Sequence, residues 1–373
     1  SGNDKTNTAK VFFIFLSLRF QQQPQSGFFP LPYSSSAWQQ TLSLSAATLG
    51  TLVSATQNRS RLLDVSLRVG DYKLDNYHRL RGQFSAPTSG ALTLSLDDDA
   101  ESLQASLWAH TDRKYRQAAE RLIRIRTNRA VKVEEEDPSD DFSREESATG
   151  FGPRAEVKLS LQDWSERMKK LSAAFRKHQH VLTSKLVVQA ESRNQYLVNT
   201  EGTAVGHGRN YLRLMIMAQA RAEDGMDLDR FEGFEAADPA GFGSDQQLLA
   251  KIEEMARDLE AMRRSPIAEP FIGPAILSGR ASGVFFHEIL GHRVEGHRQK
   301  DEAEGQTFAK KLGEVILPPF LSVIFDPTRK QYEGLELNGW YDYDDEGVKS
   351  RRVALVEQGI LKTFLMTRSP VAA

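Results

Sequence analysis

A chain of 373 residues, 40% hydrophobic and 26% charged, has ordinary globular composition and room for two domains with their own cores. A formal net charge of −2 leaves no basic excess to hold nucleic acid or an anionic membrane. The lack of cysteine excludes disulfides, thiolate zinc sites and a cysteine nucleophile within these residues.

Residues 1–40 read as an irregular N-terminal segment, with Gln, Pro and Ser clustered at 21–24 and 30–36. The apolar run 11–18 is too short for a membrane span, which needs roughly 20 residues. No small-residue cleavage site follows it, so it reads as a buried strand or terminal segment rather than a signal peptide, and the chain as cytoplasmic. From Thr41 the pattern changes. Leu42, Leu44 and Ala46, then Val65, Leu67 and Val69, then Leu92, Leu94 and Leu96 alternate with polar residues, as half-buried strands do. Residues 100–129 read as a helix with Leu103, Leu107, Tyr115, Ala118 and Leu122 inward. Residues 41–131 thus form an N-terminal α+β part.

Residues 132–154 are acidic and rich in Ser, Gly and Pro, the composition of an exposed linker or loop. A second α+β part then occupies 155–373. Trp164, Met168, Leu171 and Phe175 share one helix face. Strands are expected at 181–190, 195–199 and 211–218, with a turn at Thr200, Glu201 and Gly202. Gly206, His207 and Gly208 read as a turn, and the pair His178 and His180 as a surface helix end. Leu248, Ile252, Met255, Leu259 and Met262 mark another amphipathic helix, and residues 270–277 look like an apolar strand. Strands and helices come in blocks rather than in strict alternation, which favours an α+β fold with mixed or antiparallel sheets.

After that strand, Ser278 or Ser282 can cap a helix that carries His287, Glu288 and His292 in the pattern H-E-x-x-x-H. Histidine nitrogen is a common zinc ligand, and an adjacent carboxylate can take a proton from zinc-bound water. The spacing is one residue longer than in H-E-x-x-H. On an ideal α-helix residues five apart point about 140° away from each other, against about 40° for residues four apart. Both imidazoles can meet one ion only if the helix widens or breaks, so a π-type turn or helix break is expected at 290–291, where Gly291 tolerates distortion. Within the chain, Glu295 and His297 are candidates for a third ligand. Asp342, Asp344, Asp345 and Glu346 read as a strand with alternating faces and a turn at Glu346 and Gly347, with a hard-cation site as the alternative.

Two blocks resemble a known family. Residues 287–296, H-E-I-L-G-H-R-V-E-G, are similar to the H-E-x-x-G-H-x-x-E-G signature of the TldD/PmbA metallopeptidases. Residues 339–347, with D-D-E-G at their end, and 353–362, containing V-E-Q-G-I-L-K, are similar to that family's second signature. The resemblance is strongest over residues 272–370. It implies a two-domain α+β fold and a zinc (Zn2+) peptidase acting on unfolded or short peptides. His287 and His292 would be ligands, and Glu288 would activate the water and later protonate the leaving amine. It also implies a homodimer, or a heterodimer with a PmbA-like subunit. The family's third ligand is a cysteine in a β-rich region that would follow residue 373, and this chain has no cysteine. The alternative reading is therefore a catalytically incomplete peptide-binding or scaffold subunit of such an assembly.

Overall fold

Residue 49 is where the architecture begins to be explicable. Leu49 and Gly50 take φ of 45° and 81°, the backbone sense required of a two-residue hairpin turn. They join two long antiparallel strands, β1 (Pro30–Thr48) and β2 (Thr51–Val69). The structure, a computed structural model, describes residues 30–79, 91–129, 138–300 and 306–371, with side chains from Ala47 onward. The apolar run 11–18 and the acidic residues Glu134 to Asp137 lie outside the described residues.

The next elements in chain order are β3 (Leu92–Leu94), α1 (Ala100–Arg129), β4 (Thr149–Phe151) and α2 (Leu161–Ala173). Two further long strands follow, β5 (Thr183–Asn199) and β6 (Ala204–Arg221), then β7 (Asp227–Ala236) and α3 (Asp245–Arg263). The motif helix α4 spans Gly279–Phe286. The last strands are short: β8 (Val323–Phe325), β9 (Gln331–Tyr332), β10 (Leu335–Glu336), β11 (Val353–Glu357) and β12 (Ile360–Leu361).

Among the described residues, seven strands make one sheet in the order β3-β2-β1-β5-β6-β4, with β7 also on β6. Its pairings are antiparallel except β4 with β6. The main core lies where α2 and α3 cover this sheet. Met168, Leu171 and Phe175 meet Leu186, Leu214 and Ile216 of the sheet and Leu248, Ile252 and Met255 of α3. Helix α1 covers β2 through Leu103 and Leu107 against Leu63 and Val65, and through Ala118 and Leu122 against Leu67 and Val69. Helices α2 and α3 start at side-chain caps, whereas α4 starts at Ser278 without a side-chain cap bond. Ser160 caps α2, and Ser244 with Gln247 forms a capping box on α3.

Several expectations need correction. The segment expected to be irregular through residue 40 carries strand from Pro30, paired on both sides with β2 and β5. Its backbone bonds are satisfied by partners remote in sequence, which local composition does not report. For the same reason residues 132–154 do not divide the sheet, because β1 from the N-terminal part pairs with β5 from the second. The described end of that linker is anchored: Asp141 is buried and accepts hydrogen bonds from the Asp75 amide and His78.

Strand β5 is continuous where two strands were expected. Its polar middle is satisfied by a crossing segment, Ser192 and Asn194 both bonding the Ala155 backbone. Gly206 to Gly208 is not a turn but lies within β6. Glycine is needed at 208 for close approach, since a Cβ there would sit 2.1 Å from the Ala155 amide nitrogen. Residues 270–277 form no strand, and Phe271, Ile272 and Ile276 face solvent. Pro270 and Pro274 remove amides a ladder would need. Met262 is partly exposed at the end of α3 rather than buried. No described helix is long and apolar enough to cross a membrane.

Candidate metal centre

The motif stands on a helix that changes its winding. After α4 the backbone forms a π-helical turn over His287–Gly291, and the His292 amide donates to the His287 carbonyl, the i to i+5 bond that stacks residues five apart. The two imidazoles are thereby brought together, with ring centroids 4.4 Å apart and planes at 71°. One donor atom from each of His287, Glu288 and His292 lies within 4.8 Å of the others. The distortion expected at residues 290–291 is therefore present. Gly291, however, has an ordinary helical φ of −49°. A Cβ there would meet nothing closer than 3.7 Å, so glycine is not what permits the turn.

The segment is packed from beneath. Leu290 and Val294 are buried against Leu355, Val356, Leu361 and Phe364. These residues belong to β11, β12 and the segment after them, so the second sequence block is the floor under the first. The chain is also tied there by backbone bonds, from Gly296 N to Leu365 O (2.6 Å) and from Leu365 N to Val294 O (2.8 Å). On the other side, Arg280 in the first turn of α4 donates to the Gly233 carbonyl of β7 at 2.9 Å. His287 and Glu288 are solvent-exposed, with side chains 60% and 63% accessible.

Glu295 and His297, the in-chain candidates for a third ligand, are not part of the donor group among the described residues. Glu295 Oε1 accepts from His292 Nδ1 at 2.8 Å, and Oε2 accepts from Arg298 Nε at 2.7 Å. His297 Nε2 lies 3.6 Å from the same Oε2. Burial alone would raise the Glu295 carboxyl, but the hydrogen bonds from Arg298 and His292 outweigh it and hold the group below the usual glutamate range. The sequence shows the spacing of Glu295 from His292, but not this use of it, and Arg298 carries no signal of its role.

Three carboxylates of the acidic block at 342–346 are engaged within the protein as a clasp. Asp344 Oδ1 accepts from the Glu346 and Val348 amides, closing a turn in which Gly347 has φ 80°. Asp345 accepts from Gln195, and Glu346 from the Arg368 amide. Burial pushes both Asp344 and Glu346 above their ordinary range. The expected turn is present and the expected strand is not. His178 and His180 pair with Glu253 and Glu260 of α3, a docking contact supplied from a distant helix.

The fold and this geometry define an α+β protein with a two-histidine, one-glutamate candidate metal centre on a π-turn. Residues 155–264 match the PmbA/TldA metallopeptidase central domain, and residues 272–372 match the PmbA/TldA metallopeptidase C-terminal domain. Together these matches span more than half of the chain, which belongs to the TldD/PmbA family. A metalloprotease of Methanocaldococcus jannaschii is 36% identical over 134 residues, covering 34% of this chain and 28% of that one. A metalloprotease of Archaeoglobus fulgidus is 28% identical over 246 residues, covering 61% of this chain and 52% of that one. A zinc metalloprotease TldD homolog of Saccharolobus solfataricus is 32% identical over 95 residues, 26% of this chain and 20% of that one. The chain thus spans about half or less of the length of these relatives. The crystal structure of TldE from Thermococcus kodakarensis shares the fold at 14% identity and a TM-score of 0.57, over 90% of this chain and 66% of that one.

Proposed function

We propose that this chain carries the zinc-binding part of a peptidase that hydrolyses unfolded or short peptides. The observation that carries the reading is the π-turn, which brings His287, Glu288 and His292 to one point although their spacing would separate them on an α-helix. The donor set suits zinc, which takes imidazole and carboxylate ligands in small numbers and leaves a position open in catalytic sites. His287 and His292 would hold the ion. Zinc, when bound, supplies Lewis acidity toward a scissile carbonyl and lowers the pKa of water. Glu288 accepts the proton of the attacking water and returns it to the departing amine, a general base and then general acid role. Its exposed position leaves it open to substrate.

The relatives' names support the metalloprotease class, and one supports zinc. Membership of the family is the ground for proposing an assembly of two subunits, either two copies or one copy with a PmbA-like partner. A second reading has its own observation. Among the described residues no further histidine or carboxylate joins the donor group, as befits a peptide-binding scaffold subunit. Metal analysis and peptide cleavage by the full-length protein, alone and with Glu288→Gln, separate the two. The peptidase reading expects about one zinc per chain in both proteins and a loss of cleavage in the variant of about 100-fold or more. A wild type with no zinc, or a variant that cleaves as well as the wild type, overturns it.

A further inference from the structure

The arrangement around His292 assigns a role to a residue outside the donor group. Imidazole Nδ1 lies 2.8 Å from Glu295 Oε1. A carboxylate can only accept, so the shared proton sits on Nδ1, which leaves Nε2 as the ring nitrogen that can offer a lone pair to an ion; Arg298 Nη2, 3.5 Å from the same Nδ1, is at the outer limit of hydrogen bonding. Glu295 does not choose this position alone. Arg298 Nε holds Oε2 at 2.7 Å, and the Glu295 carbonyl accepts from the Arg298 amide at 3.2 Å and from the side chain of the buried Gln299, also at 3.2 Å. A bridge to Leu365 fixes the backbone of Glu295 on the segment that follows β12. Both carboxylate oxygens are committed within the protein, so neither is placed as a ligand.

We infer that Glu295 is the positioning carboxylate of His292, and that Arg298 is the cation that holds Glu295 in place. The pair keeps the ring in the Nδ1–H tautomer and aims Nε2 at the ion. This rests on the proposed zinc site but adds a role to residues that bind no metal themselves. It also explains why H-x-x-E follows the motif: three residues bring the carboxylate back to the ring it serves.

Two measurements on the full-length protein test it. The first is imidazole nitrogen–proton correlation spectroscopy of the metal-free protein at alkaline pH. His292 is expected as the Nδ1–H tautomer in the wild type and chiefly as Nε2–H in Glu295→Ala, with Glu295→Gln, which keeps an acceptor, retaining the wild-type form. The second is zinc affinity by chelator competition. Glu295→Ala and Arg298→Ala are expected to weaken binding by about 10–100-fold, the usual cost of losing such a partner, with Glu295→Gln and Arg298→Lys recovering part of it. An unchanged tautomer in Glu295→Ala overturns the assignment. So does a changed coordination number in the cobalt spectrum of that variant, which would make Glu295 a ligand. If the wild type binds no zinc, the peptidase reading falls while the tautomer result still decides the role of Glu295.

Discussion

His110 sits on the buried face of α1, and neither ring nitrogen has a hydrogen-bond partner among the described residues. Burial depresses its pKa, assisted by Lys114 and Arg113 and opposed by Asp64. The folded protein therefore binds fewer protons here than the unfolded chain, whose imidazole titrates near 6.5. The stability tied to the neutral ring is complete above that value and is lost as pH falls from about 6.5 toward the depressed folded value. His207 adds a loss of the same sign, its pKa being lowered chiefly by burial. His110→Leu is expected to flatten the fall in urea midpoint between pH 8 and 5 without abolishing it. It is also expected to raise stability at pH 8 by about 1 kcal/mol, because unbonded buried polar atoms cost about 1–3 kcal/mol. A variant that tracks the wild-type pH curve would contradict this account. At this scale the candidate site was partly legible. His287, Glu288 and His292 stand out because their chemistry is rare and close in sequence, whereas Glu295 and Arg298 take their meaning from a rotamer and a turn.

Among the elements, the π-turn shows where reasoning from spacing succeeds and where it misassigns the cause. The need for a distortion follows from helix geometry alone, and the structure contains it. Glycine at 291 is not required for it, and the anchoring of Leu290 and Val294 on either side of Gly291 is something periodicity around an interrupted helix does not display. Two glycine substitutions test this. Gly291→Ala is expected to fold normally and to leave the midpoint of thermal unfolding within a degree or two, since the new methyl finds ordinary contact distances. Gly296→Ala should be destabilising by about 1–3 kcal/mol, because its Cβ would lie 2.9 Å from the Leu365 carbonyl oxygen. Equal effects of the two in a melting experiment would show that the turn depends on glycine at 291 after all. The helices α1, α2 and α3 were legible from their apolar faces. The continuity of β5 was not, because the polar side chains that bond Ala155 look like a break when their partner is out of view.

For the molecule as a whole, Arg368 joins parts that lie far apart in sequence. Its guanidinium pairs with Glu201 at the β5–β6 turn, donates to the Ser143 carbonyl at 2.6 Å and lies 3.9 Å over the Phe142 ring. Its amide donates to Glu346 of the acidic clasp at 2.7 Å. Removing one partner of a buried ion pair costs about 3–5 kcal/mol, so Arg368→Ala is expected to lose that much in chemical denaturation, with Arg368→Lys between the two. A loss below about 1 kcal/mol would show that Glu201 finds another partner. The α+β class was readable from blocks of period, but such long-range ties were not, and neither was the position of the first strand. That strand, β1, lies inside the sheet with Trp38 opposite Leu62 on one side and Gln195 on the other. During synthesis its hairpin partner emerges at once, but its second edge waits for β5, with Thr48 and Ser184 separated by 136 residues. Until then the hairpin presents an open strand edge, the kind of surface that pairs with whatever chain is near. Completing this sheet is therefore a late and non-local event, and contacts of that kind fold slowly. The order in which the chain is made sets when its most central strand becomes safe.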